Sequence, residues 1–325
     1  MENKREVISQ KIEKYGFNIK TLNIVIAVLV AMFTIGFFVI YSNKKAELNL
    51  KSEQYSAMLK QIEQNQLNSI FTNVTPNDGT IDPSKVAEDP IFRNGKEAVV
   101  FAFDKFYSYT NYETECTGIT HAKAVGVDVE VLFTTKSAKW TDGMEYDQSI
   151  RIETKTNFGQ SGADEIVYLN GKYLRTGKNL KNNNGTLSAD FSGEYKKVES
   201  KLTKRPIYLI NNQTVLYSKA FSFIRDKDNK IMYYTATIMI DGNAAGKDYG
   251  IATQEQGGTS FPKFKEVEIS CNIDRNGNLI NYTTIEKYEV SKKVVVDVTT
   301  TLTNEYITVI KSFNKTPTIP KPQIA

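Results

Sequence analysis

The segment FPKFKEVEISCNIDRNGNLINYTTIEKYEV, residues 261–290, has the pattern of two strands joined by a tight turn. From Val267 to Ile273, apolar side chains alternate with polar ones, as expected of a strand with one buried face. Cys271 falls on the apolar side of this alternation and is expected to point inward. The dipeptide Asn276-Gly277 follows, which is a strong signal of a hairpin turn. The segment therefore predicts an antiparallel β-hairpin.

The same alternation recurs on both sides of this hairpin. Further strands are predicted around residues 127–133, 150–152 and 294–302. Turn residues occur between strands at residues 170–171 (Asn-Gly) and 226–229 (Asp-Lys-Asp-Asn). Because half-buried strands joined by hairpins form antiparallel sheets, we expect one large antiparallel sheet.

Helical periodicity is concentrated before these strands. Residues 96–109, KEAVVFAFDKFYSY, repeat apolar side chains at three- and four-residue spacing, which is typical of a helix that packs one face on a core. Two short helices are predicted near residues 194–202 and 244–253. The fold class predicted for residues 96–313 is therefore α+β, a large antiparallel sheet with packed helices.

A long uncharged run lies near the N-terminus, from Leu22 to Tyr41. Twenty helical residues span roughly 30 Å, the hydrocarbon thickness of a bilayer, and Tyr41 suits the interface. These features predict a transmembrane helix over residues 22–43, with Leu22 and Tyr41 marking the membrane anchor. The alternative is a cleaved signal peptide, but its apolar region is about 7–15 residues and no small-residue cleavage site follows. We therefore interpret the run as an uncleaved signal anchor.

The flanking segments suggest a topology. Basic residues are slightly more numerous before the helix than after it, which favours a cytoplasmic tail over residues 1–21 and an extracytoplasmic C-terminal domain. Residues 44–71 contain no Gly or Pro and predict a helical stalk, through which oligomers could form. Residues 72–95 are a linker, and residues 314–325 form a Pro-rich tail that is expected to be extended and mobile. The predicted location is the plasma membrane, with a single pass through the bilayer.

The composition argues against catalysis and nucleic-acid binding. The chain of 325 residues has a formal net charge of +4, far from the balance of a nucleic-acid binder. It contains one His and two Cys, and the five-residue spacing of Cys116 and His121 does not by itself make a catalytic pair. We expect no enzymatic activity, no cofactor and no metal. A local basic run from Lys196 to Arg205 could meet an anionic lipid or polymer, or could be a solvated face.

Cys116 and Cys271 are the only thiols in the chain. Both are extracytoplasmic under the predicted topology, so a disulfide between them is chemically possible. The alternative is two buried free thiols, because free Cys is among the most buried residue types. The sequence leaves both alternatives open.

Two segments resemble a known superfamily. Residues 165–179, EIVYLNGKYLRTGKN, resemble a hairpin of the LolA/LppX-like half-barrel proteins, which are extracytoplasmic. Residues 261–290 resemble the late paired strands of that fold, and the similarity covers roughly residues 95–313. The resemblance implies a curved half-barrel sheet with residues 96–109 packed on its concave side. It also implies a lipid-like ligand or a lipoprotein partner, because characterised members carry these in an apolar cavity.

A second resemblance belongs to a different functional class. One membrane helix, a helical linker and then a helix with a curved sheet are similar to VirB-type and nuclear-transport-factor-like scaffold subunits of conjugation or secretion machines. Residues 107–113, YSYTNYE, fit that pattern, whereas the long strands after residue 200 fit it less well. The sequence therefore predicts a non-catalytic, membrane-anchored envelope protein that binds a hydrophobic ligand or a protein partner. A scaffold subunit is the alternative.

Overall fold

The computed structural model describes the C-terminal part of the chain. Residues 57, 60, 61 and 87–324 are described, except residues 125–126, 155–158, 184–185 and 294–296. The chain divides into two compact units, Met1–Lys51 and Ser52–Ala325, and the first lies wholly outside the described residues.

Most of the predicted N-terminal features also lie outside the described residues. This holds for the cytoplasmic tail (1–21), the membrane helix with Leu22 and Tyr41 (22–43), and nearly all of the stalk and linker. Ala57, Lys60 and Gln61 of the predicted stalk are helical. In the part of the chain that the structure describes, no helix is long and apolar enough to cross a membrane.

The described domain combines a few helices with many strands. The helices are α1 (Gly95–Ser108), α2 (Gly242–Ala245) and α3 (Lys247–Glu255). The strands are β1 (Tyr112–Ala124), β2 (Val127–Lys139), β3 (Glu145–Thr154), β4 (Gly159–Tyr168), β5 (Lys172–Thr176), β6 (Lys178–Asn183), β7 (Thr186–Asp190), β8 (Lys196–Val198), β9 (Val215–Arg225), β10 (Ile231–Ile240), β11 (Lys263–Asp274), β12 (Leu279–Lys293) and β13 (Asp297–Phe313).

Eleven strands form one antiparallel sheet, in the order β8-β5-β4-β3-β2-β1-β13-β12-β11-β10-β9, and β6 and β7 form a separate hairpin. The first and last long strands, β1 and β13, pair at the centre, with Cys116 opposite Thr308. The turns predicted at residues 170–171, 226–229 and 276–277 each connect neighbouring strands. The large antiparallel sheet with packed helices is therefore confirmed, and it is compatible with a half-barrel.

Helix α1 confirms the prediction for residues 96–109 to within one residue at each end. The side chain of Asn94 caps it by accepting the Glu97 N–H at 2.9 Å, and the Glu97 carboxylate in turn accepts the Arg93 N–H at 2.9 Å. Such reciprocal hydrogen bonds satisfy donors that the first turn of a helix leaves unpaired. The buried face of α1, with Phe103 and Phe106, packs on strands β9 to β12.

The apolar side chains form two main cores on opposite faces of the sheet. The larger core lies under α1 and includes Tyr234, Ile238 and Ile269. The second surrounds Trp140 and Tyr146. Because neighbouring side chains of a strand point to opposite faces, β3 presents Tyr146 to the second core and the next residue to the α1 face.

The structure corrects two expectations about local structure. Residues 194–202 are not helical, because strand β8 occupies residues 196–198 and pairs with β5. The prediction near residues 244–253 is confirmed by α2 and α3. The Pro-rich tail packs on the domain: Ile319 and Ile324 contact the second core.

Candidate ligand-binding pocket

A pocket of about 390 Å³ opens at one end of the sheet, on the face that carries α1. It is lined by the last turns of α1, by one end of each of β1, β2 and β3, by residues 204–209 before β9, and by the helices α2 and α3. Its lining combines aromatic and aliphatic side chains with several charged ones: Phe106, Tyr107, Tyr112, Lys139, Glu145, Lys204, Ile207, Leu209, Ala244, Ala245, Lys247 and Asp248.

The sheet register brings three of these residues together. Tyr112 begins β1, Lys139 ends β2 and Glu145 begins β3, and the pairing places them side by side in one row. Residues in register on adjacent strands have neighbouring side chains on the same face. One wall of the pocket is therefore fixed by the hairpin geometry of β1 to β3.

The opposite wall belongs to a segment that we call the strap, residues 199–210. Its backbone is held by the Leu209 N–H donating to the Ala245 carbonyl at 3.0 Å, and by the Ile210 N–H donating to the Tyr107 hydroxyl at 3.1 Å. The Tyr107 hydroxyl in turn donates to the Tyr208 carbonyl at 2.5 Å. The strap is thus joined to both α1 and α2.

Arg205 attaches the strap to the sheet through an ion pair. Its Nε lies 2.9 Å from Oδ1 of Asp147, and its backbone N–H donates to Glu145 at 2.8 Å. Asp147 also accepts the Ser137 hydroxyl. Burial raises the pKa of Asp147, and the guanidinium of Arg205 opposes that shift. Moving Arg205 away would leave the buried charge of Asp147 without its partner, which strongly destabilises a protein. The ion pair therefore fixes the position of the strap.

A second buried attachment involves Glu286 of β12. Its carboxylate accepts the hydroxyl of Tyr208 from the strap and the side-chain amide of Asn304, while the Tyr306 hydroxyl lies at 3.4 Å. Burial raises the pKa of the Glu286 carboxyl, and these donors act against the shift. The pocket is therefore backed by a buried polar network rather than by a purely apolar core.

Five charged side chains belong to the lining of the pocket: Lys139, Glu145, Lys204, Lys247 and Asp248. Lys204 pairs loosely with Asp248, with 3.9 Å between Nζ and Oδ2. Burial raises the pKa of Glu145, while the Arg205 N–H and the charge of Lys139 oppose the shift. Among the described residues, Lys139 and Lys247 form no ion pair within 4.0 Å. The pocket lining thus combines apolar side chains with charged ones, an arrangement suited to binding an amphipathic molecule.

The two cysteines do not form the disulfide that the sequence allowed. Both are free and buried, and the register runs from Cys116 through Thr308 and Tyr282 to Cys271. Three strand spacings of about 4.8 Å separate them, whereas a disulfide needs Cα atoms within roughly 7 Å. The alternative of two buried thiols is therefore correct. Burial raises the pKa of Cys116 to about 11, which makes it a poor nucleophile.

His121 is not brought to Cys116 either. The odd spacing of five residues puts their side chains on opposite faces of β1, and Nδ1 of His121 lies 3.3 Å from the Glu130 carboxylate. In the described part of the chain, no group of three or more His, Cys, Asp or Glu side chains could hold a metal ion.

Sequence reasoning missed the pocket because its residues come from five separate segments of the chain. The helices predicted over residues 96–109 and 244–253 contain part of the lining, and the basic run from Lys196 to Arg205 includes Lys204 of the lining and Arg205 of the strap attachment, but no pattern brought these segments together. Leu209 gave no signal, since an isolated exposed leucine is ordinary on a protein surface.

Comparison with known proteins gives limited information. No protein-family model matches the chain, and no curated protein matches it significantly. Among solved structures, it is similar to LprF from Mycobacterium bovis, with 12% sequence identity, coverage of 70% of this chain and 96% of LprF, and a TM-score of 0.33. A match with a TM-score this low carries no argument about fold or ligand. Function therefore has to be inferred from the pocket itself.

Proposed function

We propose that this chain is a non-catalytic, single-pass envelope protein of the plasma membrane, whose extracytoplasmic domain binds a hydrophobic, lipid-like ligand in the pocket between α1 and the strap. The observation that carries the proposal is the pocket of about 390 Å³ with walls formed by Phe106, Ile207 and Leu209. Its volume lies within the range of roughly 300–1,000 Å³ that is usual for small-molecule sites.

The physical basis of binding is burial of apolar surface. Each Å² of apolar surface removed from water contributes about 25 cal/mol. Phe106 and Tyr107 belong to a helix that is packed on the sheet, and the strap is fixed by Arg205 and Tyr208. Because these walls are already ordered, binding costs little further conformational entropy.

Photolabelling in membranes tests the ligand directly. We expect a fatty alcohol that carries a diazirine to label the full-length protein on peptides containing residues 106–112, 204–209 and 244–248, as mapped by mass spectrometry. Leu209→Glu should reduce labelling of these peptides severalfold, because a charge in the apolar wall opposes burial of the chain.

Leu216→Glu is the matched control. Leu216 is 57% exposed and Leu209 is 51% exposed, but only Leu209 lines the pocket. The control should label like the wild type. Equal labelling of both variants, or no label on the pocket peptides of the wild type, would contradict the proposed ligand site.

The proposed membrane anchor has a separate test. If residues 22–43 form an uncleaved anchor, the full-length chain stays in the pellet when membranes are extracted with alkaline carbonate. A chain lacking residues 1–43 should be released into the supernatant. Release of the full-length chain would show that the anchor is absent or cleaved.

A further inference from the structure

We infer that the pocket selects a negatively charged amphiphile, a molecule with one apolar chain and a carboxylate or phosphate head group held by Lys139 and Lys247. This inference rests on the proposed function and adds the chemical class of the ligand. It is carried by the charged side chains that line the pocket and by the ion pairs that they form.

Three lysines and two acids line the pocket, so the formal balance is positive. Lys204 already lies 3.9 Å from Asp248. Lys139 and Lys247 have no ion-pair partner within 4.0 Å among the described residues. These two ammonium groups are therefore the lining lysines without an ion pair, and of the two only Lys139 has an acid, Glu145, as its neighbour in the sheet register.

The two acids are engaged within the protein. Glu145 accepts the Arg205 N–H at 2.8 Å and lies next to Lys139 in the sheet register, and burial raises the pKa of its carboxyl while these two groups oppose the shift. Asp248 lies in the first turn of α3, where the helix dipole favours negative charge, and it is also close to Lys204. A cationic head group would therefore find only Glu145 and Asp248, and both of these acids already interact with groups of the protein.

The position of the lysines matches an amphiphile better than a free anion. Lys139 ends β2 and Lys247 begins α3, and both line a pocket to which Phe106, Ile207 and Ala245 contribute apolar surface. An ammonium group binds carboxylate or phosphate as a strongly hydrated point charge, and the apolar walls bind the chain.

Competition against the neutral diazirine alcohol tests the inference on the full-length protein in membranes. The competitors are octanoate, octanol and acetate at pH 7.5. Lys139→Gln/Lys247→Gln should raise the half-inhibitory concentration of octanoate about tenfold, the effect of losing two partly exposed charge pairs. In the same variant, the half-inhibitory concentration of octanol should change less than twofold. Acetate should not displace the probe.

Lys227→Gln/Lys230→Gln is the control, because it removes the same charge from two exposed lysines of the β9–β10 turn. This control should leave the half-inhibitory concentrations of octanoate and octanol unchanged. The inference is overturned if the half-inhibitory concentration of octanoate rises no more than that of octanol in Lys139→Gln/Lys247→Gln. It is also overturned if acetate displaces the probe as well as octanoate does. If the neutral probe fails to label the pocket of the wild type, the proposed function fails, and this inference with it.

Discussion

Glu286 is an acidic residue that lies buried in the larger core. It is 6% exposed and is surrounded by phenol and amide donors, from Tyr208, Asn304 and Tyr306. No lysine or arginine forms an ion pair with it in the described part of the chain. Burial therefore raises the pKa of its carboxyl above the usual 4.5, while the hydrogen bonds from Tyr208, Asn304 and Tyr306 oppose the shift.

This shift predicts a pH dependence of stability. Because the folded-state pKa is above that of the unfolded chain, the contribution of Glu286 is fully present below pH 4.5 and is lost as pH rises through the folded-state pKa. In Glu286→Gln, which cannot ionise, Tm from near-UV circular dichroism should fall less between pH 4.5 and 8 than in the wild type. Buried Asp147 and Glu145 also contribute to the pH dependence of Tm. Their contribution is the same in the wild type and in Glu286→Gln, so it cancels in the comparison.

Exposed Glu199→Gln provides the control, and its pH profile should follow the wild type. Parallel curves of Tm against pH for the wild type and Glu286→Gln would contradict the prediction, because they would mean that folding does not raise the pKa of Glu286.

At the scale of elements, the C-terminal segment 314–324 behaves as part of the domain. The Thr318 N–H donates to the Glu113 carboxylate at 2.7 Å, and Ile319 packs on the cluster around Trp140. Proline lacks an N–H for a strand ladder, so the segment lies as an extended cover on the second core without joining the sheet.

Removing one apolar contact should expose this core. Trp140 is the single tryptophan, so its emission reports on the cluster. In Ile319→Ala we expect emission at longer wavelength and stronger acrylamide quenching, together with a loss of about 1–2 kcal/mol in the free energy of unfolding. Ile91→Ala, at a position that is 54% exposed, should change neither quantity. Unchanged emission in Ile319→Ala would contradict the docked tail.

At the scale of the whole molecule, local patterns predicted the elements, whereas contacts distant in sequence determined the site. The alternation from Val267 to Ile273 and the turn at residues 276–277 were enough for a hairpin, because strand period and turn chemistry are local. The strap depends on Arg205 meeting Asp147 and on Tyr208 meeting Glu286, 78 residues away. No periodicity encodes such pairs.

The same reason explains the failed prediction over residues 194–202. Lacking Gly and Pro, this segment has no strong helix breaker, but the Tyr195 hydroxyl donates to Glu165 at 3.1 Å, and the Arg175 guanidinium lies 4.3 Å from the Tyr195 ring. These tertiary contacts override a weak local propensity. The distance between the two cysteines likewise followed from strand order, which their spacing in sequence does not contain.

The central claim is that the pocket beside α1 holds an amphiphile, and native mass spectrometry of the full-length protein tests it most directly. Ala244 lines the pocket, so Ala244→Trp should fill it, whereas Ala220→Trp lies at an exposed position of edge strand β9. We predict one bound amphiphile per chain in the wild type and in Ala220→Trp, and none in Ala244→Trp. An unbound wild type, or equal occupancy in all three proteins, would contradict the claim.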